Sequence, residues 1–290
     1  MPSLNLLYTF ARELAVSRSL PREPEPDLVM DDPTQVAAYA EAGRIDGVMA
    51  AAYLFQSAHI SQTIAGKQQV LDLGCGPATQ LAQIAELNPT LQFTGVDLSP
   101  TMLADAKNHV GQLGLRNVGF LQADITQLDS IETASMDAVI STMALHHLPT
   151  QAHLQQCFEE IRRVLKPGGA VYLTDFCRLK SLKSVLFFAY VNARHQPHLF
   201  SLDYERSLRA AFLREDFEAA GASTLASGIK LLSTFKVPLL TVIKTPDLPL
   251  DAAVQQQVRA MRQGLRPRYR RDLNDMRIFF GLGGLRNDPF

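Results

Sequence analysis

The chain has 290 residues, 47% of them hydrophobic, and its 28 basic and 29 acidic side chains leave a formal charge of −1. That length suits one large α/β domain with attachments, or two small ones, and the balanced charge argues against a general nucleic-acid or membrane-surface binder. Cys75, Cys157 and Cys177 form no CxxC pair, so a reducing cytoplasm is expected rather than a disulfide framework or structural zinc. The start, MPSLNLLYTFAREL, lacks the basic and sustained apolar regions of a signal peptide, and no apolar run is long enough to span a bilayer.

Leu4, Leu7, Ala11 and Leu14 fall at helical spacing and predict a short amphipathic helix. Pro21 to Asp27, PREPEPD, offers prolines and charges with nothing to bury and is read as a linker. Asp32-Pro33-Thr34-Gln35 supplies an N-cap, a proline at the first helical position and a capping-box glutamine. A helix to Ala42 follows, with Gly43 as its stop, and then an apolar helix from Val48 to Ile64.

From Gln69 strands alternate with helices. Strands are expected at 70–73, 92–96 (ending at Asp97), 118–123 (ending at Asp124), 136–141 and 170–174 (reaching Asp175). Ser99 and Thr150 open two of the helices between them, and Lys166-Pro167-Gly168-Gly169 stops the last. Such alternation implies a parallel sheet with helices on both faces. Beyond Asp175 come an apolar helical segment (Val185 to Val191), a polar stretch RHQPHLFSLDYE, and a helix from Ser207 to Ala220 with Phe212 and Phe217 inward. The strand-like runs Leu225–Ser233 and Leu239–Lys244 are too close for anything but an antiparallel pair. The domain plan is a helical cap over 1–66, an α/β domain over 67–250 with an inserted lid at about 178–206, and a basic helical extension over 251–290.

The stretch VLDLGCGPATQL (Val70 to Leu81) places Gly74 and Gly76 at a strand-to-helix turn, where backbone can approach a ligand closely. An isolated GxG is more often just a tight turn. Asp72 lies inside the strand, where a carboxylate would repel a pyrophosphate and so disfavours a nicotinamide dinucleotide. Asp97 and Asp124 end the next two strands, so three carboxylates line up along one sheet edge.

These segments, with FTGVDLSPTML, FLQADI, MDAVISTMALHHL and VLKPGGAVYLTDF, resemble the class I S-adenosylmethionine-dependent methyltransferases, closest to the small-molecule group that includes quinone-biosynthesis enzymes. The resemblance covers about Gln69 to Asp175, and more loosely Ser207 to Lys244; Ala78 stands where the family often has a third glycine. It implies a Rossmann-like, seven-stranded, mostly parallel sheet with an antiparallel last strand, and S-adenosylmethionine as the cofactor. Carried onto matching positions, Gly74 and Gly76 would touch the methionine part, with Asp72 beneath it. Asp97 would take the ribose hydroxyls, Leu98 and Met102 would pack by the adenine, Asp124 would accept from its amino group, and Ile125 would cover its ring. Ser141, Thr142 and Met143 would floor the sulfonium.

Direct methyl displacement needs alignment above all, and a general base only for a poorly nucleophilic acceptor. His146 and His147, after the fourth strand, are candidates for that base. Tyr190 and Tyr204 lie in the lid, where aromatic rings would stack on a flat substrate; His195 and His198, flanking Pro197, make a poor metal motif, and no metal is expected. Seven arginines between Arg259 and Arg277, Arg268 and Arg270 among them, form either a solvated helix face or an anion-recognising patch. The expected activity is methyl transfer to a small-molecule or peptide-like acceptor, in a chain compatible with a homodimer. A catalytically inactive methyltransferase-like scaffold and a nicotinamide oxidoreductase are the alternatives.

Overall fold

Runs such as Val70–Leu73, Ala138–Ile140 and Ala170–Leu173 are apolar throughout save for Asp72, as strands buried on both faces must be. The computed structural model describes residues 4–26, 31–43, 47–225 and 228–290. Its strands are β1 Gln69–Leu73, β2 Gln92–Asp97, β3 Val118–Gln122, β4 Met136–Thr142, β5 Leu165–Phe176, β6 Lys230–Ser233 and β7 Leu240–Lys244. They form one sheet in the order β3-β2-β1-β4-β5-β7-β6, and β7 runs antiparallel to both neighbours, as the short connection requires. The strand order reverses between β1 and β4, so the crevice at their carboxyl ends is where an open α/β sheet holds its ligand.

The helices are α1 Leu4–Ala15, α2 Pro33–Gly43, α3 Ala50–Thr63, α4 Thr79–Leu87, α5 Pro100–Gln112, α6 Gln151–Val164, α7 Leu182–Tyr190, α8 His198–Ala210, α9 Arg214–Thr224, α10 Ala252–Gly264 and α11 Pro267–Leu282. Alternate strand residues serve two cores: Val70, Ile140 and Tyr172 join the cluster of α3, α4 and α11, while Leu71, Val139 and Leu173 join that of α6 and α9. The expected N-caps form, with Asp32 Oδ1 accepting from Thr34 N (2.8 Å), Ser99 Oγ from Met102 N (3.0 Å) and Thr150 Oγ1 from His153 N (3.4 Å). Among the described residues no helix is long and apolar enough to cross a membrane.

The structure departs from the sequence expectations in five places. Lys166–Gly169 does not merely stop a helix: it lies inside β5, where the pairing shifts from Met136↔Leu165 to Ala138↔Ala170 and absorbs the extra residues as a bulge. The helix expected over Ser207–Ala220 is two helices, and α8 begins at His198, so the polar stretch is helical from that residue on. The break comes where Arg22 and Arg178 side chains take the carbonyls of Ala210 (2.6 Å) and Ala211 (2.9 Å); Phe212 and Phe217 are nonetheless both buried.

α1 forms, but with its apolar stripe outward: Leu4, Leu7 and Leu14 are 84, 48 and 56% exposed, while Thr9 and Glu13 are buried. Glu13 faces inward because its carboxylate accepts from Lys180 N (2.8 Å) and Ser181 N (3.0 Å), at the start of α7. PREPEPD is no loose linker. Leu20 N donates to Leu179 O, Glu23 N to Arg209 O, and Arg22 reaches four carbonyls, so this extended run is strapped across the end of the sheet. Residue 27 of that run, and residues 226–227 of the run Leu225–Ser233, lie outside the described residues.

Finally, the C-terminal extension is part of the core. Phe280 of α11 is 1% exposed and stacks on Phe55 of α3 with ring centres 5.1 Å apart. Several of its arginines bind the protein itself: Arg270 Nε donates to Leu265 O, Arg277 pairs with Asp288, and Arg268 lies over the Tyr269 ring.

Candidate active site

The turn after β1 is built by backbone geometry. Gly74, Gly76 and Ala78 have φ of 70, 52 and 57°, and Val96 O accepts from both Gly74 N (2.8 Å) and Cys75 N (2.9 Å). A Cβ on Gly74 would stand 2.3 Å from Ala144 Cβ, whereas Gly76 faces open space within the crevice. Asp97 braces the same turn: Oδ2 accepts from Gly76 N (2.8 Å) and Oδ1 from Ser99 N (2.9 Å). Burial raises its carboxyl above the usual range against those hydrogen bonds. Asp72, 4% exposed beneath the turn, is pushed up to about 8 by burial and by the nearby Asp97.

A cleft of about 170 Å³ opens here, and its lining includes Gly74, Gly76, Asp97, Leu98, Met102, Asp124 and Ile125. Asp124 Oδ1 accepts from both Thr126 N (2.8 Å) and Thr126 Oγ1 (2.7 Å), which fixes the carboxylate at the strand end. Asp72 lies under the cleft rather than in its wall. Thr142 also stays out of the lining, and Ser141 is buried with its hydroxyl on Leu73 O (2.8 Å). The wall is made instead by Met143, held at φ 55°, a strained backbone for a non-glycine residue.

A second cavity, about 300 Å³, lies among α1, α7, α8 and α11 and is lined by apolar side chains such as Phe10, Phe176, Phe188, Phe200 and Phe279. The two cavities share Tyr39, Met143 and His147. Tyr204 and His146 line the second cavity. Tyr190 does not; its hydroxyl donates to Glu205 Oε2 (3.0 Å), and its neighbour Val191 takes the place in the wall. His195 and His198 are exposed and outside both linings. The Asp, Glu, Arg and Lys residues lining the second cavity are all acidic: Asp203, Asp272 and Asp275.

At the junction, His147 Nδ1 lies 2.7 Å from Glu25 Oε2, and Ser207 Oγ donates to Glu25 Oε1 (2.9 Å). Burial opposes both charges, yet the pairing wins: Glu25 falls to about 2 and His147 rises above its usual range. His146 Nδ1 is 2.7 Å from Asp175 Oδ1, which leaves its buried Nε2 without a partner. Among the described residues, Glu25, His146 and His147 are the group whose ligand atoms come close enough, within 4.8 Å, to hold an ion. Burial, followed by Glu25, raises Asp203 to about 6.

Residues 64–204 match the family model described as a methyltransferase domain. Over these residues the chain is similar to methyltransferase domains. Similar to it are phosphoethanolamine N-methyltransferase 3 of Arabidopsis thaliana, 34% identical over 128 residues (44% of this chain, 25% of that protein), and a ubiquinone biosynthesis O-methyltransferase of Acinetobacter baumannii, 26% identical over 161 residues (54% and 64%). The chain thus spans less than two thirds of the length of these curated relatives. The fold is like that of a SAM-dependent methyltransferase from Aquifex aeolicus, with a TM-score of 0.52 at 17% identity, covering 74% of this chain and 98% of that one.

Of the residues around the two cavities, sequence reasoning missed Glu25, Arg22, Tyr39, Asp175 and Asp203. Asp175 carries a signal, the last position but one of a strand that ends beside the other aspartates; Glu25 and Arg22 sit in a run whose prolines mark only an extended chain. Tyr39 lies on α2, where nothing in the sequence distinguishes it from a core aromatic.

Proposed function

We propose that this protein transfers a methyl group from S-adenosylmethionine to an apolar small molecule. What carries the reading is the pair of cavities, one edged by the glycine turn and carboxylates, the other apolar, meeting at Met143 and His147. S-Adenosylmethionine supplies an electrophilic methyl group when bound. Gly74 and Gly76 would hold its amino-acid end, Asp97 its ribose, and Leu98, Met102, Asp124 and Ile125 its adenine. Asp72, beneath the turn, is a carboxyl that a cationic ligand above it would favour in its charged form. The relatives' names fit methyl transfer to a small acceptor.

The second cavity orients the acceptor with its aromatic walls and excludes water. Its acidic lining repels an anion, so the arginine-rich extension is not read as an acceptor-binding patch. His147, with Glu25 holding Nδ1, presents Nε2 for an acceptor proton; the tautomer follows from that contact. A reducing cytoplasm fits the three free cysteines.

Calorimetry tests the reading. S-Adenosylhomocysteine should bind and NAD should not, and Asp97→Ala should abolish binding while the circular dichroism spectrum is kept. Absence of S-adenosylhomocysteine binding to the wild type would sink the proposal.

A further inference from the structure

A soluble amphipathic helix normally turns its apolar stripe to the core. α1 sends Leu6 and Phe10 inward but leaves a second apolar set outside. Leu4, Leu7, Tyr8 and Leu14 are 84, 48, 67 and 56% exposed, and the buried positions are the polar Thr9 and Glu13. Beside it, α7 leaves Leu182, Leu186 and Val191 exposed by 42, 39 and 57%. The two helices are tied together by Glu13, whose carboxylate receives the amides that open α7. The two helices pack on one another, and we take their exposed apolar side chains together as one face.

Charge says what this face meets. Segments 4–20 and 180–194 contain Arg12, Arg18, Lys180, Lys183 and Arg194 against a single acid, Glu13, which is buried in its capping role. This is a local excess of positive charge on a chain whose net charge is −1. A symmetric pairing of two copies through the face would bring basic rims together. An anionic bilayer surface offers acyl chains for the leucines and headgroups for the rim. The inner side of the same helices closes the apolar cavity: Leu6 and Phe10 of α1, with Phe188 of α7, line it.

We propose that the α1–α7 face docks on an anionic membrane surface, so that a lipid-soluble acceptor passes from the bilayer to the cavity beneath α1. The docking itself stands on the face and its charge; only the delivery of acceptor rests on reading the second cavity as the acceptor site. The face lies in the interface plane, with α1 acting as a surface anchor rather than a spanning element.

The full chain should co-sediment with vesicles of equal phosphatidylglycerol and phosphatidylcholine. Binding should fall at least tenfold on pure phosphatidylcholine and at high salt. The variant Leu4→Gln/Leu7→Gln/Leu14→Gln, altered only at exposed positions, should bind the anionic vesicles at least tenfold more weakly, and Lys183→Glu/Arg194→Glu should weaken binding too. S-Adenosylhomocysteine affinity should be unchanged in each variant, so loss of docking is separable from loss of the cofactor site. No sedimentation of the wild type, or equal sedimentation of the leucine variant, overturns the proposal. So does a wild-type dimer, seen by analytical ultracentrifugation, that the leucine variant converts to monomer: the face would then be covered by a second copy.

Discussion

Glu25 Oε2 and His147 Nδ1 stand 2.7 Å apart, so the N-terminal strap supplies the carboxylate that orients the imidazole between the two cavities. Nδ1 carries the proton in this arrangement, and Nε2 is the basic atom. Against the cost of burial, Glu25 lifts His147 above its ordinary value of 6.5. The His147 ring, followed by NMR, should therefore titrate with a midpoint above that of an ordinary histidine. Glu25→Gln, which removes the charge and keeps the shape, should lower the midpoint. An unchanged midpoint would mean the pair is not coupled.

The same pair ties stability to pH. His147 has a raised folded pKa, so its contribution is complete below its unfolded value of 6.5 and is lost as pH rises through the folded one. Glu25 is depressed to about 2, so its contribution is present above the unfolded 4.5 and is lost as pH falls toward about 2. Both are in force between these unfolded values. Denaturant unfolding should show Glu25→Gln less stable by about 2 kcal/mol near pH 5.5, with the gap narrowing at pH 9 and at pH 3. A gap that is flat with pH would reduce the pair to a packing contact.

Asp72 makes cofactor binding a proton-linked event. Burial, with Asp97 adding to it, pushes the carboxyl to about 8, so it is mostly protonated at pH 7. A ligand bringing positive charge above it favours the carboxylate and expels the proton. Calorimetry of S-adenosylmethionine in buffers of differing ionisation enthalpy should report release of up to one proton at pH 7, shrinking above pH 8. Asp72→Asn should remove that release, and a wild-type enthalpy indifferent to buffer would contradict the assignment.

Much of this architecture is written locally. Asp32, Ser99 and Thr150 cap the helices they precede, because capping needs only residues two or three positions away. The apolar strands likewise announce a sheet buried on both faces, and the carboxylates at 97 and 124 fall at strand ends within it. What local pattern does not carry is partnership across the fold. The periodicity of α1 reports an apolar stripe but not which way it turns, and that was decided by Glu13 meeting two amides of a segment far along the chain. Arg22 and Glu25 acquire roles only when His146, His147 and Ala210 arrive beside them.

Gly74 is confined twice, by a φ of 70° and by Ala144, whose Cβ would lie 2.3 Å from a new methyl group. Gly74→Ala should destabilise the fold by about 3 kcal/mol and weaken S-adenosylhomocysteine binding, since left-handed backbone and overpacking each add a cost. Ala144→Gly in the same chain removes the clash but not the strain. The double variant should recover part of the melting temperature and no more. Full recovery would show that φ is free to adjust, and none would show that the clash is relieved without Ala144.

Arg22 gives the strap its hold. Its guanidinium donates to the carbonyls of Ala210, Pro149, His146 and Leu148 at 2.5–3.0 Å and lies 3.9 Å over the Phe212 ring. Burial, then the neighbouring Arg178, lowers its pKa to about 10, so the charge persists at neutral pH. A flat fork is what several diverging carbonyls need; an ammonium serves fewer of them. Arg22→Met fills the space but leaves the carbonyls unpaired, and should destabilise the protein by about 3 kcal/mol. Arg22→Lys should fall between. Limited proteolysis should cut both variants first within residues 20–26, and the His147 midpoint should drop toward that of Glu25→Gln as the strap releases its carboxylate. Arg22→Lys behaving as wild type in both measurements would mean that charge alone, not the fork, secures the strap.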